Sequence, residues 1–78
     1  MQMPPFKIIE EIAVLKTAKS GWRIELNFIS WNDKEPMYDI RWWSPQRKEI
    51  GKGVKLTPKE FSNFVQVTSS MQILSVED

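Results

Sequence analysis

Two stretches of clear two-residue alternation constrain the fold of this chain more than any other feature of its sequence. Residues 22–31 and 37–43 each place an apolar side chain at every second position, which is typical of a β-strand with one buried face. The short segment between them contains Asn32 and Asp33, which favour a tight turn. We therefore expect the two strands to be antiparallel neighbours in one sheet.

Two further strands are predicted on either side of this pair. Residues 6–18 are rich in Ile, Val and Phe and predict a first strand, although "EEIAVLK" taken alone is also compatible with a helix. Residues 19–21 and 44–49 predict two further turns, and residues 50–56 predict a short fourth strand that contains two glycines. Because all connections are of hairpin length, the sheet is predicted to be an antiparallel meander.

The pattern changes at Thr57, where a helix is predicted to begin. Thr57 is an N-cap residue, Pro58 suits the first helical position, and Glu60 completes a capping box. Apolar residues at helical spacing extend this helix over 58–72. The predicted fold is therefore α+β: a single domain, 1–78, in which a four-stranded antiparallel sheet is followed by one C-terminal helix.

The alternation divides the aromatic residues between two faces of the predicted sheet. One face packs beneath the helix, and the other combines cations with aromatic rings. We predict that Leu26, Phe28, Ile40 and Trp42 form the core with Phe61, Phe64 and Val65 of the helix, whereas Arg23, Asn27, Trp31, Arg41 and Trp43 lie on the open face.

The open face has the composition that single-stranded nucleic acid requires. Phosphates are neutralised by Arg and Lys, and unstacked bases pack on flat aromatic rings. The net charge is only +1, yet the segment from Lys16 to Lys59 contains ten cations against five anions. A solvated surface also accounts for such counts in many proteins, so the charge favours a polyanionic partner without requiring one.

Each candidate binding residue has an alternative structural role. Arg41 could form a surface ion pair with Asp39, Trp43 could close a sheet edge or a dimer interface, and packing is the more favoured role for Trp22. The predicted nucleic-acid-binding residues are Lys16, Lys19, Trp22, Arg23, Asn27, Arg41, Trp43, Lys52 and Lys55.

The composition argues against several other classes of function. Without Cys and His, the chain lacks the usual metal ligands and the usual proton shuttle near neutral pH, so no metal, no cofactor and no enzymatic activity are expected. No apolar run approaches the ~20 residues of a membrane span, and no secretory signal is evident. We expect a cytoplasmic protein, either free or associated with the nucleoid.

Three segments resemble a known protein family. "GWRIELNFISWND" (21–33), "DIR" (39–41) and "GKGVKLTPKEF" (51–61) are similar, in their order and spacing, to the positive cofactor four group of transcriptional coactivators, and most closely to its small bacterial YdbC-like branch. The resemblance spans residues 6 to about 65.

This resemblance implies binding of single-stranded DNA across the sheet by a homodimer that associates through its helices. It also implies that Arg41 and Lys52 are basic contacts, that Trp43 is the aromatic contact, and that Lys16, Lys19 and Arg23 contribute from the first hairpin. The expected dimer interface consists of Phe61, Phe64, Val65, Thr68 and Met71.

Two alternatives to DNA binding remain open at this point. The chain could bind RNA, because nothing in the sequence identifies a residue that senses a 2′-hydroxyl. It could also be a protein–protein adaptor, because Trp, Tyr and Arg are the residues that anchor protein interfaces.

Overall fold

The predicted fold class is confirmed. The structure, a computed structural model, describes residues 3–74. Four antiparallel strands form one sheet in the order β1-β2-β3-β4, and a single helix follows them. The strands are β1 (Phe6–Thr17), β2 (Arg23–Trp31), β3 (Met37–Trp43) and β4 (Ile50–Leu56), and the helix is α1 (Pro58–Ser69).

The first two turns owe their shape to residues that tolerate a positive φ. Gly21, with φ of 93°, follows the turn that joins β1 to β2, and the Gly21 N–H donates to the Ala18 carbonyl at 2.9 Å. Asn32 and Asp33 have φ of 54° and 59°, the pair of left-handed residues that joins twisted strands without splaying them. Both turns therefore follow from the local sequence.

Strand β1 curls because its pairing with β2 is interrupted three times. The register shifts between Ile8 and Glu10, between Glu11 and Ala13, and between Val14 and Lys16. Each shift inserts an extra residue on β1, which bends a strand and increases its twist. The inserted residues are Ile9, Ile12 and Leu15, which are exposed.

The residues are divided between the two sheet faces as predicted, but the face predicted to be open is the more deeply buried one. We call the face with the odd-numbered residues of β2 and β3 the core face, and the face with the even-numbered ones the helix face. The core face contains the fully buried residues, including Ile29 and Trp43, at 0% exposure. The prediction that the helix face forms the main core is wrong, because its residues are only half-buried: Ile24, Leu26, Phe28, Tyr38, Ile40 and Trp42.

Helix α1 begins as predicted and covers less of the sheet than predicted. The Thr57 hydroxyl accepts from the Glu60 N–H at 3.1 Å, and the Glu60 carboxylate accepts from the Thr57 N–H at 2.8 Å, which completes the capping box. The Phe61 ring stacks on Tyr38 with centroids 4.2 Å apart. Phe64 and Val65, by contrast, are 46% and 47% exposed, so the prediction that they pack on the sheet is wrong for a single chain.

The helix ends at Ser69, three residues before the predicted end. Hydroxyl groups in its last turn donate to carbonyls of the preceding turn: Thr68 to Phe64 at 2.8 Å and Ser69 to Gln66 at 2.9 Å. Such bonds compete with the helical ladder and explain the early end. Within residues 3–74, no helix is long and apolar enough to cross a membrane.

The glycines of β4 are required by close packing between β3 and β4. A Cβ at Gly53 would lie 2.1 Å from the Arg41 Cβ, and a Cβ at Gly51 would lie 2.9 Å from the Trp42 Cβ. Both distances are shorter than any normal carbon–carbon contact, so only glycine fits. The two glycines therefore serve the sheet itself.

We predict that Gly53→Ala destabilises the protein strongly. The added methyl group must push Arg41 or its strand aside, which should lower the free energy of unfolding by about 3 kcal/mol. Urea denaturation followed by tryptophan fluorescence measures this loss. The exposed neighbour Lys52→Ala is the control and should change stability by less than about 0.5 kcal/mol; a loss below about 1 kcal/mol for Gly53→Ala would contradict the prediction.

Candidate nucleic-acid interface

The centre of the core face is built around a buried carboxylate, that of Glu25. Glu25 is 1% exposed, and its Oε2 accepts from Arg23 Nε and Nη2 at 3.1 and 2.7 Å. Its Oε1 accepts from Asn27 Nδ2 and from Arg47 Nε, both at 3.0 Å. Two cations and an amide therefore compensate for the removal of this charge from water, as a buried charge requires.

A second buried carboxylate, Asp39, lies beside it on β3. Asp39 is 0% exposed and accepts from Arg41 Nε and Nη2 at 2.7 and 2.9 Å, a bidentate pair. Trp31 Nε1 donates to Asp39 Oδ2 at 3.2 Å, and Arg41 Nη1 donates to the Gly51 carbonyl at 3.3 Å. The alternative role of Arg41, an ion pair with Asp39, is therefore observed, and this pair is buried.

The environment of Glu25 lowers the pKa of its carboxyl group. Burial by itself raises the pKa, because it disfavours the charged form. Hydrogen bonds from Asn27, Arg47 and Arg23, in that order of size, outweigh the effect of burial, so the pKa lies below its ordinary value. The carboxylate is therefore ionised at neutral pH and contributes stability there.

An aromatic cluster adjoins the two carboxylates. The Trp31 and Trp43 rings are nearly parallel, 5° apart, with centroids separated by 5.9 Å, and Phe6 lies 5.6 and 5.1 Å from them. Trp43 shares a face with Arg41, as predicted, but the prediction that it is exposed is wrong: its exposure is 0%. Within the described chain, its Nε1–H is the one buried side-chain polar group without a hydrogen-bond partner.

The side chains of three other predicted binding residues on the core face donate hydrogen bonds to the two buried carboxylates. Asn27, expected on an open surface, is 2% exposed and donates to Glu25, because the curled sheet encloses it. Arg41 has a side-chain exposure of 11%, whereas Arg23 retains 42%. Of these three residues, Arg23 is therefore the most accessible to a ligand.

The predicted lysines are exposed, but they do not all lie on the core face. Lys19 occupies the β1–β2 turn, and Lys52 lies where the β3–β4 register is interrupted opposite Trp42. The Lys55 ammonium is 5.9 Å from the centroid of the Trp31 ring. Lys16 is near the end of β1, where it pairs with Ile24 of the helix face.

Trp22 has a mixed environment. It is half-buried, and its ring would lie 3.3 Å from a Cβ at Gly51. It also borders an open cavity of about 520 Å³ whose lining includes Lys48 of the β3–β4 loop. Packing, which was the favoured role, is thus combined with access to solvent.

One residue of the site, Arg47, was missed by the sequence prediction. Arg47 lies in the loop after β3, but its guanidinium reaches two other strands. It donates hydrogen bonds to Glu25 of β2 and, from Nη2 at 3.0 Å, to Glu11 of β1. The guanidinium carbon also lies 5.9 Å from the centroid of the Trp43 ring. Contacts between residues so far apart in the chain leave no local pattern in the sequence. The surplus of cations in the turn was therefore the one signal that indicated Arg47.

Comparison with known proteins identifies the family. A fold of four antiparallel strands and one helix, with cations and aromatic rings on one sheet face, is consistent with a nucleic-acid-binding module. The family model "Transcriptional Coactivator p15 (PC4)" matches residues 18–67, and the chain belongs to this family. Membership supports nucleic-acid binding at that coarse level, since the family comprises DNA-binding transcriptional coactivators.

A bacterial relative is also similar over most of the chain. It is a protein of Treponema pallidum (strain Nichols), named only "Uncharacterized protein", and it is 38% identical over 68 residues. The match covers 87% of this chain and 80% of the relative. Its name adds nothing about function.

We predict an acid-dependent loss of stability that originates at Glu25. Because the folded-state pKa is lowered, the contribution of this carboxylate is complete above its unfolded pKa, about 4.5, and is lost as the pH falls through the lower folded value. Glu25→Gln should lower the free energy of unfolding by about 3 kcal/mol at pH 7 and flatten its decline in acid. Urea denaturation at a series of pH values measures both effects; an unchanged acid decline in Glu25→Gln would contradict the assignment.

Proposed function

We propose that this protein is a homodimeric single-stranded-DNA-binding protein with little sequence preference, which acts in transcription or in DNA replication and repair. It is a binding module and not an enzyme. DNA is proposed as the ligand over RNA on the strength of the family. The single-stranded DNA lies across the core face of the sheet, and a second protein chain covers the helix face.

The observation that carries this proposal is the chemical contrast between the two faces. The core face combines arginines with the Trp31 and Trp43 rings, and the exposed Lys55 lies 5.9 Å from the centroid of the Trp31 ring. The helix face is apolar and continues into the exposed apolar residues of α1, including Phe64 and Val65. A polyanion matches the first surface, and a second apolar surface matches the other.

The contacts on the core face follow from accessibility. Lys19, Lys52 and Lys55 are exposed and neutralise phosphates, with Arg23 contributing its partly exposed guanidinium. Trp22 and Trp42 are both half-buried, and both border Gly51, so the stacking contact predicted for Trp22 remains a prediction. The phosphate contact that the resemblance implies for Arg41 remains a prediction.

The dimer follows from the small size of the chain and its uncovered apolar surface. A domain of 78 residues has a thin core, and association is a common way to extend one. Phe64 and Val65 of α1, and Met71 just beyond its end, are 46%, 47% and 54% exposed, and the same apolar stripe of a second chain would cover them. Phe61 and Thr68 lie on this stripe as well.

We predict salt-dependent binding of single strands. Fluorescence anisotropy with labelled oligo-dT should show tight binding at low salt and a steep loss at high salt, because phosphate contacts release counterions. Duplex of the same length is the control and should bind more weakly. Absence of oligo-dT binding at low salt, or equal affinity for duplex, would rule the proposal out, and tighter binding of oligo-U would favour the RNA alternative.

The same salt titration tests which lysines contact phosphates. Lys52→Ala and Lys55→Ala should each reduce the slope of log affinity against log salt by about 0.7, the effect of one lost phosphate contact on a single strand. Lys59→Ala, in the first turn of α1, is the matched control and should keep the slope of the unmodified protein.

We predict that the dimer is broken by a charge on the exposed stripe of α1. Sedimentation equilibrium should give twice the 9.2 kDa mass for the unmodified chain, and Val65→Asp should give the single-chain mass because a buried unpaired carboxylate is costly. Gln66→Asp places the same charge on the opposite side of the helix and should remain dimeric. A monomeric unmodified chain, or a dimeric Val65→Asp, would contradict this interface.

A further inference from the structure

The guanidinium of Arg47 lies against the ring of Trp43. The guanidinium carbon lies 5.9 Å from the ring centroid, a cation–π distance, and guanidinium planes stack on rings much as bases do. Phe6 and Trp31 pack around the same indole. The Trp43 ring, which the sequence pattern predicts to stack on a base, is therefore covered in the free chain.

The guanidinium is held in place by two carboxylates on two strands, an arrangement we call the Arg47 bridge. Arg47 Nε donates to Glu25 Oε1 and Arg47 Nη2 donates to Glu11 Oε1, both at 3.0 Å. Glu25 is also satisfied by Arg23 and Asn27, whereas the Glu11 side chain is 69% exposed and in contact with water. The bond to Glu11 is therefore the part of the bridge that is easiest to open.

The backbone beneath the bridge is strained. Gln46 and Arg47 have φ of 59° and 54°, a left-handed conformation that is unfavourable for residues with a Cβ. The loop is closed at its base by Ser44, whose carbonyl accepts from the Arg47 N–H at 2.9 Å and whose hydroxyl accepts from the Glu49 N–H at 2.7 Å. Strain of this kind persists where surrounding contacts impose it, and such positions cluster at ligand clamps and switches.

Space is available on both sides of the Arg47 side chain. One open cavity of about 360 Å³ lies toward Arg23, and a second of about 250 Å³ lies toward Ile12. Arg47 and Glu25 line both cavities, so movement of the guanidinium would join them. The buried Trp43 Nε1–H has no partner, and buried N–H groups of this kind are rarely left unpaired.

We propose that Arg47 is a ligand-displaced residue of the binding site. In the free chain its guanidinium covers Trp43; a single strand displaces it, so that a base stacks on the indole and a phosphate takes the guanidinium from Glu11. This inference rests on the proposed function and adds to it a residue that the family resemblance does not assign. It also accounts for a tryptophan that lies on the cationic face and yet is buried.

The cover over Trp43 is tested without nucleic acid. Acrylamide quenching of tryptophan fluorescence should increase in Arg47→Ala, because one side of the indole opens to solvent. Lys48→Ala removes a cation from the same loop and should quench as the unmodified protein does. Equal quenching in all three proteins would overturn the proposal.

The displacement is tested by a double-mutant cycle with oligo-dT as the probe. Glu11→Gln weakens the bridge in the free state and should tighten binding about two- to fivefold, the range expected for loss of an exposed ion pair. Glu10→Gln removes the same charge from the adjacent exposed residue, which pairs with Phe28 of the helix face, and measures the gain from net charge alone, which should be smaller. In an Arg47→Gln background, Glu11→Gln should keep only that smaller gain.

The outcomes separate the inference from the proposed function. Equal gains for Glu11→Gln and Glu10→Gln, or an unchanged gain in the Arg47→Gln background, overturn the displacement while the unmodified protein still binds oligo-dT. Failure of the unmodified protein to bind oligo-dT overturns the proposed function and the displacement together. In that case the quenching experiment still decides whether Arg47 covers Trp43.

Discussion

The burial of two carboxylates on one face of a small sheet is the constraint on which the rest of this structure depends. Glu25 and Asp39 are almost completely shielded from water, and each must be matched by cations and other donors. Arg41 is thereby fixed to β3 and to the backbone of β4, and Arg47 is drawn across β2 to β1. The cations of this face are thus pre-positioned, and part of the positive charge is neutralised within the protein.

The two faces of the sheet consequently have different physical roles. A buried ion pair is costly to break by removing one partner, although as a whole it adds little stability over well-packed apolar residues, since desolvation offsets most of its attraction. The apolar part of the core face is small, centred on Ile29, Trp31 and Trp43, and the helix face remains half-buried in a single chain. A chain of this construction has one surface suited to a polyanion and another that a second apolar surface would stabilise.

The sequence predicted the elements and their faces, but not which face is covered. Alternation placed Trp43 beside Arg41 correctly, and the capping box located the start of α1 to the residue. Alternation contains no information about the curvature of the sheet. The three bulges of β1 and the loop after Ser44 enclose the core face, and both depend on contacts between residues that are distant in the chain. The role of Arg47 was unpredictable for the same reason, because Glu11 lies on a different strand.

If the core face is the nucleic-acid face, the indole N–H signals of its tryptophans should respond to a bound single strand. We would titrate ¹⁵N-labelled protein with oligo-dT and follow these signals by NMR. We expect the Trp31 and Trp43 signals, from the core face, to shift together with the Arg47 Nε–H signal. A response of the Trp42 signal on the helix face, with Trp31, Trp43 and Arg47 unchanged, would contradict it.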